Sequence, residues 1–332
     1  MEVVMHAIVV SEFGDSSVLR YQSAPDPQAR AGQVVVRLFA AGVNPVDAYI
    51  RAGHYALGEP ELPYIPGNDG AGMVEALGDG VGGLSVGDRV FVAGVAARQC
   101  SGTYAEKVSC DASAVQVLPS ELSFAQGASL GTPGMAAYHA LLVRGKLRAG
   151  ERILIQGGSG GVGTLAIQIA RLVGAEVFAT AGSEDGCKLA ASLGAERVFD
   201  YHDSALAAKL MEASEGHGVD LIIEVLADKN LEHDMSLLAK EGRVVIVGSR
   251  GSLTFSPRLA MTKEADIKGM TLGNSTKDEL TRELRGLAAL LRGGVTPVVG
   301  QEFLLADAAR AQDEVIQKSA SHGKMILRIA TV

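Results

Sequence analysis

Three glycines, Gly158, Gly160 and Gly163, stand at the spacing G-x-G-x-x-G inside the run ILIQGGSGGVG, residues 153–163. That spacing suits the cradling of a pyrophosphate. Gly158 permits a tight turn, Gly160 lets a phosphate approach the backbone, and Gly163 lets a helix pack closely on a strand. The N–H groups of Gly160, Gly161, Val162 and Gly163, with Ser159 in the turn, then aim partial positive charge at the ligand. The motif alone is weak. Here it follows an apolar strand and opens a helical stretch inside a βαβ pattern, the context that makes it a dinucleotide site rather than a plain Gly-rich turn.

A second group lies further on. An NAD site places Asp or Glu at the tip of the second strand, about 20 residues after the glycines, to hold the ribose diol. Here that strand ends VFATAGS, with Ala181-Gly182-Ser183 and no carboxylate at the tip. A carboxylate would repel a 2′-phosphate, so its absence favours NADPH over NADH. Ser183 could donate to that phosphate, Lys188 lies one turn into the next helix, and Tyr201 could cover the adenosine. Each has a plainer reading. Lys188 serves equally as a solvated helix residue, and Glu184 and Asp185 beside Ser183 favour the helix dipole.

The elements that must position these groups fall into two textures. The first ~120 residues are β-rich, with short strands at 6–10, 33–43, 70–78 and 88–94 between Gly, Pro and Asp turns. They suit a compact barrel-like domain. From Ser123 helix and strand alternate. Residues 125–143 are helical in character. Strands are expected at 152–156, 176–180, 197–200, 219–225, 243–248 and 266–273, and helices at 162–173, 184–193, 204–213 and 231–239. Runs such as DLIIEVL and RVVIVG are apolar on both faces, as in a parallel sheet covered by helices. Residues 277–294 form an amphipathic helix, and KMILRIA (324–330) is a strand that returns to the first domain.

Composition removes several function classes. The 332 residues carry a net charge of −8, with no run of Lys and Arg, which argues against nucleic acid or an anionic membrane as partner. The three cysteines, Cys100, Cys110 and Cys187, form no disulfide framework and no C-x-x-C, which suits a reducing compartment. There is no signal-like N-terminus and no stretch of ~18 apolar residues, so a cytoplasmic location is expected.

The ordered segments AAGVNPVDAYIRAGHY, LPYIPGNDGAGMVEALGDGV, VGDRVF, GTYAEKV, QGASLGTPGMAAYHAL and AGERILIQGGSGGVG resemble the medium-chain dehydrogenase/reductase superfamily. Within it the chain is most similar to the zeta-crystallin-type NADPH:quinone oxidoreductases. FATAGSEDG, DLIIEVLADKNL, GRVVIVGSRG, KGMTLGNSTKDEL and HGKMILRI extend the resemblance over nearly the whole chain. It implies an α/β protein: a GroES-like β-barrel catalytic domain over 1–124, completed by 275–332, and a Rossmann doubly wound parallel-sheet domain binding NADPH over 125–274. It also implies that Asn44, Asp47 and Tyr49 lie at the nicotinamide and substrate cleft, with Tyr49 as a cofactor contact. Tyr55 and Tyr64 would be cleft walls, although tyrosines in such places are as often packing residues. Asn44 and Asp47 equally suit a helix cap. Asn230 matches a cofactor contact, and Val247, Gly248, Ser249 and Arg250 match a cofactor-binding turn. Two positions depart from the family: Ala136 replaces a common Thr, and Tyr201 stands where some relatives have His.

The zinc alcohol dehydrogenases of this superfamily have a catalytic Cys where this chain has Asn44 and a His-Glu pair at Asn68-Asp69. A third ligand has no counterpart near 131–134. Asn is a poor zinc ligand, so no metal is expected. Without a Lewis acid an alkoxide lacks stabilisation, whereas a quinone accepts a hydride as a resonance-stabilised anion. The reading is therefore an NADPH-dependent, metal-free quinone reductase, passing hydride to a flat acceptor between the domains with no essential side-chain base. Two alternatives remain at this point: a reductase of enones, enals or enoyl thioesters with a Tyr as proton donor, and a non-catalytic NADPH-binding structural protein. An apolar strand at 266–273 needs covering, which suits a homodimer, or a tetramer.

Overall fold

The computed structural model describes residues 4–55, 58–94, 101–317 and 322–329. The chain divides into two compact units, one of residues 1–135, 273–319 and 323–332, the other of residues 136–272 and 320–322. The change of unit falls a little beyond the change of sequence texture at Ser123, because the helical stretch that follows is itself divided.

The first unit opens with a hairpin of β1 (Val4–Val9) and β2 (Arg20–Pro25). β3 (Gln33–Gly42) follows, then α1 (Pro45–Arg51), β4 (Asp69–Leu77), β5 (Arg89–Ala93), β6 (Lys107–Asp111) and β7 (Val115–Val117). β3 is the hub, pairing antiparallel with both β4 and β6. Its residues Val34, Val36 and Leu38 are wholly buried. Each such side chain contributes about 1.5–3 kcal/mol relative to exposure. Helix α2 (Phe124–Gly127) and helix α3 (Gly131–Tyr138) come next, and a π-turn over His139–Arg144 extends α3. The stretch expected as helical is thus broken, with Gly145 donating back five residues to the Ala140 carbonyl at 2.8 Å.

The second unit holds a six-stranded parallel sheet built from β8 (Arg152–Ile155), β9 (Glu176–Ala181), β10 (Arg197–Asp200), β11 (Val219–Glu224), β12 (Leu238–Ile246) and β13 (Asp266–Gly269). Their order, β10-β9-β8-β11-β12-β13, is the doubly wound 3-2-1-4-5-6 arrangement. The connecting helices are α4 (Gly161–Val173), α5 (Glu184–Ser192), α6 (Leu206–Ala213), α7 (Ala227–Leu237) and α8 (Pro257–Lys263). The apolar strand runs are buried on both faces, as a parallel sheet requires, and Ile153, Leu154, Ile155, Leu221, Ile222 and Ile223 are fully enclosed. Polar residues appear where the strands end: Gln156 after β8, Thr180 in β9 and Glu224 closing β11.

Several boundaries differ from the sequence expectation. α7 begins at Ala227, four residues early, with Asp228 in its first turn where a carboxylate meets the helix dipole. β12 begins at Leu238 because Gly242 and the left-handed Glu241 (φ 62°) allow an irregular entry into the strand. β13 is short, and a 3-10 turn at Leu272–Asn274 follows it.

The chain then returns to the first unit. α9 (Lys277–Arg292) buries Leu280, Leu284, Leu287 and Leu291 along one face. β14 (Val299–Leu304) and α10 (Ala308–Gln317) lead to β15 (Lys324–Arg328), which pairs with β3 and β14. The terminal strand does belong to the first unit. Cys110 and Cys187 are not joined in a disulfide; Cys100 lies outside the described residues. Among the described residues no helix is long and apolar enough to cross a membrane.

Candidate functional site

The glycine turn stands at the C-terminal end of β8. Gly157 adopts φ 68°, and its N–H donates to Thr180 Oγ1 at 3.1 Å, while Gly158 N–H donates to the Thr180 carbonyl at 2.7 Å. A Cβ on Gly163 would lie 2.2 Å from the Gly157 carbonyl oxygen, and one on Gly158 would lie 2.9 Å from Ala179 Cβ. Both positions therefore require glycine on packing grounds. Helix α4 has Gly160 as its N-cap, with no side chain to cap it. The N–H groups of Gly161, Val162 and Gly163 open a thirteen-residue helix, so the turn presents a donor array of the kind that binds a phosphate. Ser159 is buried in the turn.

The tip of β9 is built differently. Ser183 caps α5, its Oγ accepting from Gly186 N–H at 3.1 Å and lying 2.9 Å from His322 Nε2. Gly182 is pressed against Tyr201, since a Cβ there would sit 2.0 Å from the phenol oxygen. These contacts gather Gly182, Ser183 and Tyr201 at one tip. Lys188 turns its ammonium to Glu184 at 2.6 Å, both side chains well exposed. Such a pair is weak in solvent and yields readily to a stronger anion.

Beyond β11 and β12 the remaining nucleotide-side positions are tied to α7. Asn230 Nδ2 donates to Glu224 Oε1 at 3.2 Å. Asp228 accepts from Arg250 N–H at 2.8 Å and from Ser249 Oγ at 3.3 Å, so the 247–250 turn is fastened to the start of α7. These bonds hold the Asp228 carboxyl below its ordinary value. Val247 and Gly248 N–H groups both reach the Glu224 carbonyl.

In the first unit Asn44 caps α1, with Pro45 at the first helical position. Its N–H donates to Asp47 Oδ2 at 2.9 Å. Its side chain faces elsewhere: Nδ2 donates to Asp69 Oδ2 at 2.8 Å, and Oδ1 accepts from the Lys324 ammonium. Asp69 also accepts from Thr132 N–H at 2.6 Å and Thr132 Oγ1 at 2.7 Å, and stands 3.6 Å from Lys324 Nζ. Asp47 accepts from Asn68 Nδ2 at 2.8 Å and from the Tyr104 hydroxyl at 3.1 Å. Asn44, Asp47, Asp69 and Lys324 are all buried. Burial, with the Asp69 charge adding to it, pushes the Asp47 carboxyl up to about 6. Burial also pushes the Lys324 ammonium down, against the pull of the two carboxylates.

The tyrosines are less tightly drawn in. Tyr49 and Tyr55 are half-buried, on α1 and just after it. Tyr64 pairs its backbone with Val10, packs on the core and has a buried hydroxyl with no hydrogen-bond partner. Burial, then the Asp47 charge, pushes its phenol well up.

The sequence reading missed Lys324, Thr132 and Tyr104 in the first unit, and Gln156, Thr180, Glu224, Asp228 and Asp234 in the second. Asp234 left a signal: it shares the apolar face of α7 with Leu231 and Met235, where a carboxylate needs a partner. Lys324 left none, because the first residue of an apolar strand reads as solvated.

The family described as alcohol dehydrogenase GroES-like domain matches residues 30–141, and the zinc-binding dehydrogenase family matches residues 161–291. The chain is 45% identical to quinone oxidoreductase of Rattus norvegicus over 329 residues, covering 98% of each. It is 42% identical to quinone oxidoreductase of Homo sapiens, again over 98% of each chain. The chain belongs to the quinone oxidoreductases. It is a zeta-crystallin-type enzyme of the medium-chain dehydrogenase/reductase superfamily, with a GroES-like and a Rossmann domain. Among solved structures, a mycobacterial protein in complex with NADPH superposes with a TM-score of 0.86 at 29% identity, covering 98% of this chain and 100% of that one. In this oxidoreductase the glycine turn and the β9 tip are the stretches that the sequence expectation assigned to the dinucleotide.

Proposed function

We propose that this oxidoreductase transfers reducing equivalents from NADPH to a quinone. The observation that carries the cofactor choice is the tip of β9, where Gly182, Ser183 and Tyr201 meet and no carboxylate stands. The relatives named quinone oxidoreductase and the neighbour solved with NADPH support the same reading. Neither the enone, enal and enoyl-thioester reaction nor a purely structural role is favoured.

The residues present fit the dinucleotide. A Cβ-free cradle at Gly158 and Gly163 and the uncapped start of α4 would hold the pyrophosphate, with Ser159, Gly160, Gly161 and Val162 in the turn. Gly182, Ser183, Lys188 and Tyr201 would hold the adenosine ribose and its phosphate, Lys188 by exchanging Glu184 for it. Asn230 and the Val247–Gly248–Ser249–Arg250 turn would align the nicotinamide half, and Tyr49 is the cofactor contact that the family resemblance implies for the first unit. The chemistry NADPH supplies when bound is hydride donation. The chain's own task is orientation and exclusion of water, with Asn44 and Asp47 held rigidly by their buried bonds and Tyr55 and Tyr64 lining the acceptor's side.

A catalytic zinc does not fit. Asn44 Oδ1 already accepts from Lys324, and Asp69 is committed to Asn44, Thr132 and the same ammonium. A cation of the protein's own thus stands among the side chains that correspond to the metal ligands of the alcohol dehydrogenases. We therefore infer a zinc-independent reaction. We also infer a cytoplasmic homodimer, supported by β13, which pairs with β12 and exposes Ile267.

Fluorescence titration tests the cofactor reading. NADPH should bind at least about tenfold more tightly than NADH, the advantage of one charge-assisted phosphate contact. Equal affinities would contradict it. A chelator should leave turnover unchanged, and sedimentation should give twice the chain mass.

A further inference from the structure

Beneath the glycine turn lies a buried polar chain that the nucleotide contacts do not explain. Glu224 and Asp234 are both fully enclosed. Glu224 Oε1 accepts from Asn230 Nδ2 at 3.2 Å and from the Leu226 N–H. Asp234 Oδ1 accepts from Gln156 Nε2 at 2.9 Å. Gln156 Oε1 accepts from Thr180 Oγ1 at 2.7 Å, and Thr180 Oγ1 accepts from Gly157 N–H at 3.1 Å. The remaining oxygens, Glu224 Oε2 and Asp234 Oδ2, find no donor. Asn230, which is bonded to Glu224, and Asp234 stand one turn apart on α7, so the two carboxyls adjoin.

Two ionised carboxylates cannot sit side by side in this place. A carboxylate only accepts, so both facing oxygens would be orphaned, and the like charges would repel at low dielectric. The groups bonded to the pair are the neutral side chains of Gln156 and Asn230 and backbone N–H groups. On α7 the side chains of Lys229, Glu232 and His233 are exposed, and the Asp228 carboxylate is bonded to the 247–250 turn. One proton between Oε2 and Oδ2 removes the repulsion and satisfies both oxygens. Glu224 Oε1 already accepts two hydrogen bonds and Asp234 Oδ1 only one, so Glu224 is the better-held carboxylate and Asp234 carries the proton and donates.

We propose that Glu224 and Asp234 share one proton, and that this acid pair positions the NADPH site from below. The idea rests on the NADPH reading above. Its two ends reach that site. At one end Glu224, being an acceptor, fixes the Asn230 amide with Nδ2 inward, which leaves Oδ1 as the atom offered to a ligand. At the other end Asp234 acts through Gln156 and Thr180 on the Gly157 N–H, at the entry to the glycine turn. Glu224 and Asp234 are positioning residues and touch no cofactor.

The proton itself can be seen. At pH 8 the infrared spectrum of the whole protein should show the carbonyl band of a neutral carboxylic acid, and the band should vanish in Asp234→Asn. That variant keeps a permanent donor to Glu224, so its affinity for NADPH should stay within about threefold of wild type. Glu224→Ala removes the acceptor that orients Asn230, and should weaken NADPH binding about tenfold or more, with KM for NADPH rising more than kcat falls. Lack of the band in wild type, or its persistence in Asp234→Asn, would overturn the shared proton. Unchanged NADPH affinity in Glu224→Ala, or a loss in Asp234→Asn as large as in Asp234→Ala, would overturn the positioning role. A wild type that shows the band but binds no NADPH would overturn the positioning role together with the cofactor reading, while supporting the shared proton.

Discussion

Each unit buries a pair of carboxyl groups, and the two pairs are accommodated by different means. In the first unit Asp47 and Asp69 lie with a lysine: the Lys324 ammonium is 3.6 Å from Asp69, and Asn44 links all three. In the second unit Glu224 and Asp234 have amides and backbone N–H groups around them and no cation bonded to them. Burial of an unpaired charge is so costly that a second charge or a proton must answer it. The first solution draws on residues nearly 300 positions apart and fixes the corner where α1 meets β4 and β15. The second is local to the ends of β8, β9, β11 and α7, and it adjoins the glycine turn. Alike in burying two carboxyl groups, the two clusters should fail differently.

The largest difference should come from Lys324→Met. It leaves Asp69 and Asn44 without their buried cation, and chemical denaturation should show a loss of about 3–5 kcal/mol. Retention of wild-type stability would mean that the ammonium is not the counter-charge. Next comes pH. Asp47 has a folded value raised to about 6 against 3.8 for the free group. Its contribution to stability is therefore fully present below about 3.8 and is lost as pH rises through about 6. Two units correspond to about 3 kcal/mol. Denaturation of wild type against Asp47→Asn between pH 3.5 and 7, as the range of measurement, should show this limb in the former alone. The proton that the Glu224–Asp234 pair keeps in the folded state also lowers stability as pH rises through this range, but in both proteins alike, so the Asp47 limb is read as their difference.

A smaller effect separates the clusters by function. Thr132→Val removes a donor to Asp69, and Thr180→Val removes the link between Gln156 and Gly157. Each should cost about 2 kcal/mol of stability. Thr180→Val alone should weaken NADPH binding, by about fivefold, because it alone lies under the turn. Equal effects on NADPH would erase the distinction drawn between the two clusters. The smallest change concerns the exposed rim. Ser183→Asp restores a carboxylate to the β9 tip, and the ratio of kcat/KM for NADPH over NADH should fall about tenfold with little change in Tm.

Much of the second unit was legible in the sequence because its signals are local. Runs apolar on both faces gave the strands, and the glycine spacing located the turn, since Gly158 and Gly163 answer to contacts within a few residues or one strand away. The β9 tip was legible for the same reason. The clusters beneath were not. Lys324 reaches Asn44 across 280 positions of sequence, and no periodicity connects them. Asn44 read as a helix cap and is one, but its side chain is spent on Asp69. Boundaries failed where the backbone leaves regular geometry, at Glu241 inside β12 and in the π-turn after α3. The Lys188 assignment shows the remaining ambiguity of an exposed lysine, which here pairs with Glu184 along its own helix.

The central claim is that this oxidoreductase spends NADPH on quinones. Its most direct test is the initial rate of NADPH oxidation, and of NADH oxidation alongside, against 9,10-phenanthrenequinone, 1,4-benzoquinone and a simple enone, with and without a chelator. The account predicts turnover of the quinones, selective for NADPH and indifferent to the chelator. Turnover of the enone alone, or a rate that the chelator abolishes, would contradict it.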